Sequence, residues 1–215
     1  MDSGRLAARF PRLYHMANFG SWPSIQRHGL LSTSNLLDLY EVQGDERDRI
    51  ESQWRSTSIP IENHEHGRAV VRDQLPLRPD LLGRCLTDGM TTSDWYRTLN
   101  GQVFFWVDEA HLETLLNARA YRDLPHTILV LDTARLLERH LPEVRLSSIN
   151  SGSILRGGAP RGRQTFRRVS EHDSSRLVEL CVLGAVPEAS DLALTVEHRW
   201  PDGRRELLFT SPGSS

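Results

Sequence analysis

Two residues stand out by their chemistry and their setting. His15 lies inside the short apolar run Leu13-Tyr14-His15-Met16, where its second ring nitrogen needs a partner. Glu179 lies inside Leu177-Val178-Glu179-Leu180-Cys181-Val182-Leu183, where a carboxylate is costly unless it is paired or placed at a cleft. A histidine can fix a ligand hydroxyl. A carboxylate in an apolar setting can stabilise a developing positive charge or take up a proton. Two plainer readings compete: a buried histidine satisfied by a backbone carbonyl, and an acid on an edge strand.

Further groups offer binding chemistry. Alternation puts Phe104 and Trp106 on one strand face and Phe105 on the other, with Trp95 and Tyr96 upstream. One face enters the core, and the other can stack on a planar ring; packing in the core alone would also account for these aromatics. Asn150-Ser151-Gly152-Ser153 supplies amide and hydroxyl donors suited to phosphate or ribose, or to an ordinary Asx turn. It leads into a segment holding Arg156, Arg161, Arg163, Arg167 and Arg168, with no acid between them. Gly157, Gly158, Pro160 and Gly162 make this a flexible basic loop, able to meet phosphate or simply to be solvated. His64-Glu65-His66 lacks the spacing of a zinc helix, so no metal is expected. A G-x-S-x-G nucleophile elbow is absent. Asp38, Asp132 and Asp173 read as caps or turn residues.

The chain has 215 residues, and its 26 basic side chains are all arginine. With 28 acids the formal charge is −2. Lysine-free chemistry excludes a Schiff base and a phosphate-loop lysine; its plain reading is codon usage in a GC-rich genome, and its functional reading is the fit of arginine to bidentate phosphate contacts. Near neutrality gives no general nucleic-acid signal. A charged fraction of 25% and a hydrophobic fraction of 38% argue against disorder and against a membrane protein. No apolar run reaches the roughly 18 residues of a spanning helix. Met1–Arg12 lacks the apolar region of a secretory signal. Cys85 and Cys181 form no ligand or redox motif, so a reducing cytoplasm is expected.

The elements that must position these groups follow from pattern. Strands are expected at Leu13–Met16, Val103–Val107, Thr127–Leu131, Val144–Ile149, Phe166–Val169, Leu177–Leu183, Leu192–Val196 and Glu206–Phe209. Helices are expected from Trp22-Pro23 to Gly29, after Ser32-Thr33-Ser34, over Asp45–Trp54, after a Ser93 cap, after an Asp108 cap and over Thr133–His140. Residues 61–83 stay ambiguous because Pro76 and Pro79 forbid a long regular element. Helices cluster early and strands late, so the class is α+β. Residues 1–11 read as an extension, 12–210 as one domain and 211–215 as a flexible tail.

His15, the Trp22–Gly29 helix, the Gly29-Leu30-Leu31-Ser32 run and the late Glu179 together resemble the ADP-ribosyltransferase superfamily, and most of all its DarT-like, DNA base-modifying enzymes and related bacterial domains. In that group a histidine on an early strand precedes a short helix and a G-[LI]-L-S run. A late glutamate lies ahead of V-x-G-x-V-P, here Val182-Leu183-Gly184-Ala185-Val186-Pro187. The resemblance spans roughly residues 12 to 190. It implies two packed, mostly antiparallel sheets with helices mainly in the N-terminal half. The superfamily's stacking tyrosine on a middle strand is absent, since that segment carries Phe104, Phe105 and Trp106; Tyr14 and Tyr96 are replacements from other elements. The arginine that DarT-like enzymes place near the reacting base has its candidates in Arg84, Arg97 and the 156–168 loop.

The resemblance implies a reaction with NAD as substrate and no metal. His15 would hold a ribose hydroxyl, an aromatic would stack on nicotinamide, and Ser32, Thr33 and Tyr14 would contact the dinucleotide. Glu179 would stabilise the charge that develops as nicotinamide leaves, and His15 and Glu179 are the catalytic pair. Asn150, Ser151, Arg156, Arg161, Arg163 and Arg97 would meet a nucleic acid or nucleotide acceptor. Such an enzyme would act as a bacterial toxin or defence effector with an antitoxin partner and no membrane. Two alternatives keep the scaffold: an NAD glycohydrolase or RNA 2′-phosphotransferase-like enzyme, and a non-catalytic nucleotide- or nucleic-acid-binding module.

Overall fold

The computed structural model describes residues 1–154 and 158–212. In chain order the elements are α1 (Ser3–Arg9), β1 (Arg12–Asn18), α2 (Trp22–His28), β2 (Leu30–Leu31), α3 (Thr33–Leu39), α4 (Gly44–Ser52), β3 (Ile59–Asn63), β4 (Gly67–Val71), α5 (Pro79–Leu82) and α6 (Thr92–Asn100). They continue with β5 (Gln102–Trp106), α7 (Glu109–Leu116), β6 (His126–Asp132), α8 (Thr133–His140), β7 (Val144–Ser147), β8 (Glu179–Leu183), β9 (Ala185–Val186), α9 (Ala189–Leu192), β10 (Ala193–Arg199) and β11 (Arg205–Thr210). The class is α+β, with a large antiparallel sheet.

Seven strands form that sheet, in the order β11-β10-β6-β1-β5-β8-β7. The expected pair of packed sheets is therefore corrected to one sheet with a seam. β1 pairs with β6 from Arg12 to Asn18, whereas β1 and β5 share a single register pair, Tyr14 opposite Trp106. Two short ribbons, β2–β9 and β3–β4, stand apart from it.

Strand alternation divides the side chains. Leu13, Ala17, Phe105, Leu129, Leu180 and Val182 enter the main core under α1, α2, α8 and α9. Tyr14, Met16, Trp106 and Ile128 face the other way, against Leu112 of α7 and Tyr121. Each fully buried aliphatic or aromatic chain stabilises the fold by about 1.5–3 kcal/mol. The first eleven residues, expected as an extension, contribute α1, whose Leu6 is fully buried in the main core.

Local chemistry explains the differences from the sequence pattern. Thr91, not Ser93, caps α6: its hydroxyl accepts the Asp94 N–H at 3.1 Å, and Asp94 accepts the Thr91 N–H at 2.8 Å. This reciprocal box outcompetes a lone serine. Asp108 and Asp132 cap α7 and α8 as their positions suggest. Phe166–Val169 is not a strand. One isolated bridge links Arg167 to Leu146, and Phe166 instead stacks on Trp95 at 5.7 Å. The ambiguous 61–83 stretch holds most of the β3–β4 hairpin, which packs Ile61 and Val71 on Leu37 and Ile50 of α3 and α4. Among the described residues no helix is long and apolar enough to cross a membrane.

Gly29 ends α2 at φ +76°, and a Cβ there would lie 2.4 Å from Val186 O and from Pro187 Cα. Its bareness lets the β2–β9 ribbon close. Gly20 has a similar φ of +78° but nothing within 4 Å of a Cβ. Chemical denaturation should therefore separate two glycine substitutions. Gly20→Ala should cost about 1 kcal/mol from backbone strain alone, and Gly29→Ala about 3 kcal/mol or more. Equal losses would show that the close approach carries no energy.

Candidate active-site cleft

β1, β5 and β8 lie side by side. Their register sets Tyr14 opposite Trp106, Trp106 opposite Glu179, and Glu179 opposite Ser147 of β7. Directly paired residues share a sheet face, so these side chains form one transverse row. Tyr14, Trp106 and Glu179 line a cleft of about 1260 Å³, which His15 also borders.

His15 occupies the gap that opens where β1 and β5 part. Its Nδ1 lies 2.8 Å from the Phe104 carbonyl oxygen. A carbonyl only accepts, so Nδ1 carries the proton and Nε2 of the neutral ring keeps its lone pair. Burial lowers the His15 pKa to about 4; the Phe104 bond opposes this and the Arg72 charge adds to it. The carbonyl-satisfied reading of His15 thus holds for one nitrogen, and the residue also borders the cleft.

Glu179 is 4% exposed and opens β8. Both carboxylate oxygens accept the Ser151 N–H, at 3.2 and 3.1 Å. Burial pushes its pKa up to about 7, held back by the Ser151 side chain and amide and by the Arg161 charge. A carboxylate at this value is part-ionised near neutrality, so it can take up a proton as a general base or, when ionised, stabilise a positive charge.

The loop that positions Ser151 is itself held by Arg161. That side chain is 2% exposed and donates to the carbonyls of Asn150 (3.0 Å), Ala159 (2.6 Å), Ser151 and Ser153. Arg161, expected to meet the acceptor, lines the cleft but gives most of its N–H donors to these carbonyls, and so braces the loop. Asn150 and Ser151 do line the cleft. Arg97 and Arg163 do not. Arg97 pairs with Asp48 and Glu51, fastening α6 to α4. Arg163 is exposed, and its backbone N–H bonds to Asp88 at 2.9 Å. Arg156 lies outside the described residues.

The remaining expectations divide similarly. Ser32 is an α3 cap: its hydroxyl accepts the Asn35 N–H and donates to Asn35 Oδ1, and it is not among the residues that line the cleft. Thr33 borders the cleft. Phe105 is 1% exposed and belongs to the core, although it touches the cleft floor. Phe104 and Trp106 are half-buried on the cleft side. Phe104 packs edge-on against Phe166, and Trp106 stacks on His111 at 5.6 Å and 10° between planes. Trp106 and Tyr14, neighbours in the row, are the rings best placed to meet a planar ligand. Among the described residues no group of three or more metal-ligating side chains gathers.

Sequence reasoning missed Arg72, His111 and Tyr121, all of which line the cleft. Arg72 follows β4 in the ambiguous stretch. The signal that could have found it is the apolar pair Val70-Val71 leading into Arg72-Asp73 after a turn at Asn63–Gly67.

The raised Glu179 pKa makes a stability prediction. The folded state holds this proton more tightly than the unfolded chain, so its contribution is full below about pH 4.5 and is lost as pH rises through about 7. Glu179→Gln removes that loss. Denaturation at pH 5 and pH 8 should show the variant gaining on the native chain by up to about 3 kcal/mol at the higher pH. A pH-independent difference would mean the carboxylate is not destabilised by burial.

Residues 11–193 match a family of unknown function, DUF7002, and the chain belongs to it. The matched stretch contains every residue of the Tyr14–Trp106–Glu179 row together with His15 and Arg72. No curated protein matches the chain.

Proposed function

We propose that this member of the family is an NAD-dependent ADP-ribosyltransferase whose acceptor is a nucleic acid or a nucleotide. The carrying observation is the single cleft in which a neutral histidine acceptor, two aromatic rings and a buried carboxylate of pKa about 7 face one ligand space. Its volume exceeds the roughly 300–1,000 Å³ of ordinary small-molecule pockets, leaving room for a dinucleotide and an acceptor together.

The chemistry follows from these groups. His15 Nε2 accepts a ribose hydroxyl and orients the sugar. Tyr14 and Trp106 stack on the nicotinamide ring. The bond from ribose C1′ to the nicotinamide nitrogen breaks, its electron pair leaves with neutral nicotinamide, and positive charge grows on the ribose. Ionised Glu179, itself 4% exposed, stabilises that charge. The acceptor atom then bonds to C1′, and its proton passes to Glu179.

The test is incubation with labelled NAD and separate DNA, RNA and protein pools. Nicotinamide should be released and label should move to the nucleic-acid pool. Release without transfer would reassign the acceptor to water, as in a glycohydrolase. Glu179→Gln should lower turnover about 100-fold or more. Because the ionised form is needed, the native rate should climb through a midpoint near pH 7 and level off above it. Near-normal turnover in Glu179→Ala, or no nicotinamide release by the native chain, would sink the transferase reading.

A further inference from the structure

Among the described residues the cleft is lined by five arginines, Arg55, Arg72, Arg119, Arg161 and Arg176, against two carboxylates, Asp73 and Glu179. Such an excess favours a ligand with more than one negative charge. The arginines are not equivalent. Arg161 is consumed by loop carbonyls, as described above. Arg55 is consumed too, donating to Arg72 O at 3.0 Å, Asn100 Oδ1 at 2.9 Å and Ile50 O. Arg119 and Arg176 are exposed at the rim.

Arg72 differs from all of these. It is half-buried, and its guanidinium carbon sits 4.8 Å from the centre of the Tyr121 ring. Nη1 donates to the Met16 carbonyl at 3.1 Å, the peptide next to His15. Among the described residues no carboxylate lies within salt-bridge distance of it. The adjacent Asp73 is turned to other donors: Tyr121 OH at 2.9 Å, the Leu75 N–H at 3.2 Å and Ser58 Oγ at 3.3 Å. A guanidinium carries five N–H donors, and its remaining fork matches a phosphoryl group two bonds at a time. The Tyr121 ring and the Met16 carbonyl fix the fork's orientation without neutralising it.

We infer that Arg72 anchors a phosphoryl group of the cleft's ligand, next to the sugar position set by His15. The subsite rests on the nucleotide reading for the identity of the ligand. Its preference for negative charge rests on the Arg72 fork and the arginine excess, not on that reading.

Calorimetry with ADP, AMP, inorganic pyrophosphate and adenosine tests this. ADP should bind about ten-fold or more tightly than adenosine, and pyrophosphate should compete with it. Arg72→Gln should close that gap, weakening ADP about ten-fold while leaving adenosine within about two-fold. Arg72→Lys keeps the charge but not the fork and should fall between; it also serves if the glutamine variant does not fold. Equal affinity of the native chain for ADP and adenosine overturns the subsite, and so does a gap that survives in both variants. ADP binding without nicotinamide release removes the transferase reading and leaves the subsite standing. Nicotinamide release with no preference for ADP over adenosine does the reverse.

Discussion

One residue pair, Tyr14 opposite Trp106, joins the two halves of the sheet, and the cleft depends on how little else does. A fully paired β1–β5 ladder would use the Phe104 carbonyl for backbone bonding and leave no gap for a ring. Because the strands part, a side chain takes over the work of the ladder: His15 satisfies that carbonyl from the neighbouring strand. The four strands on one side and the three on the other then approach closely enough to share a row of side chains. The same parting admits Arg72, whose bond to Met16 ties the β3–β4 lobe to the seam. Opening a sheet normally leaves backbone groups orphaned, and here both strands at the opening are answered by side chains.

The carboxylate at the other end of the row is held in a state that folding alone would avoid. Glu179 lies among apolar β8 neighbours, where its neutral form is favoured, and a single backbone amide meets both oxygens. Burying a group that prefers water destabilises the native chain near and above neutral pH. Cys181, two residues on and fully buried, is its opposite: a small apolar filler whose thiol burial holds protonated.

Legibility in the sequence follows the range of the forces involved. Strands β1, β5, β6 and β8 are readable because alternation is a local property, and His15 and Glu179 are readable because an ionisable group breaks an apolar run. Their partners are not. The Phe104 carbonyl lies 89 positions from His15, and Met16 lies 56 from Arg72. The arginine-rich stretch misleads for a related reason. Charge can be counted along a chain, but the direction of a guanidinium depends on which carbonyls surround it. Arg161 turns inward to four of them, and Arg97 is captured by acids of another helix. The one-sheet architecture was equally hidden, since the number of pairs at the seam depends on how two distant strands settle against each other.

The bonds made by Arg161 and by Glu179 meet in one peptide unit. The carbonyl of Asn150 accepts from Arg161, and the amide of the same unit, on Ser151, donates to Glu179. A cation and an anion thus flank a single planar dipole, each at the pole that suits it. They behave as an ion pair with a peptide inserted between them, polarised from both sides. Charge on either group strengthens the hold on the other without any contact between the two. A proton gained or lost at Glu179 therefore changes the polarisation of the peptide by which Arg161 holds Asn150.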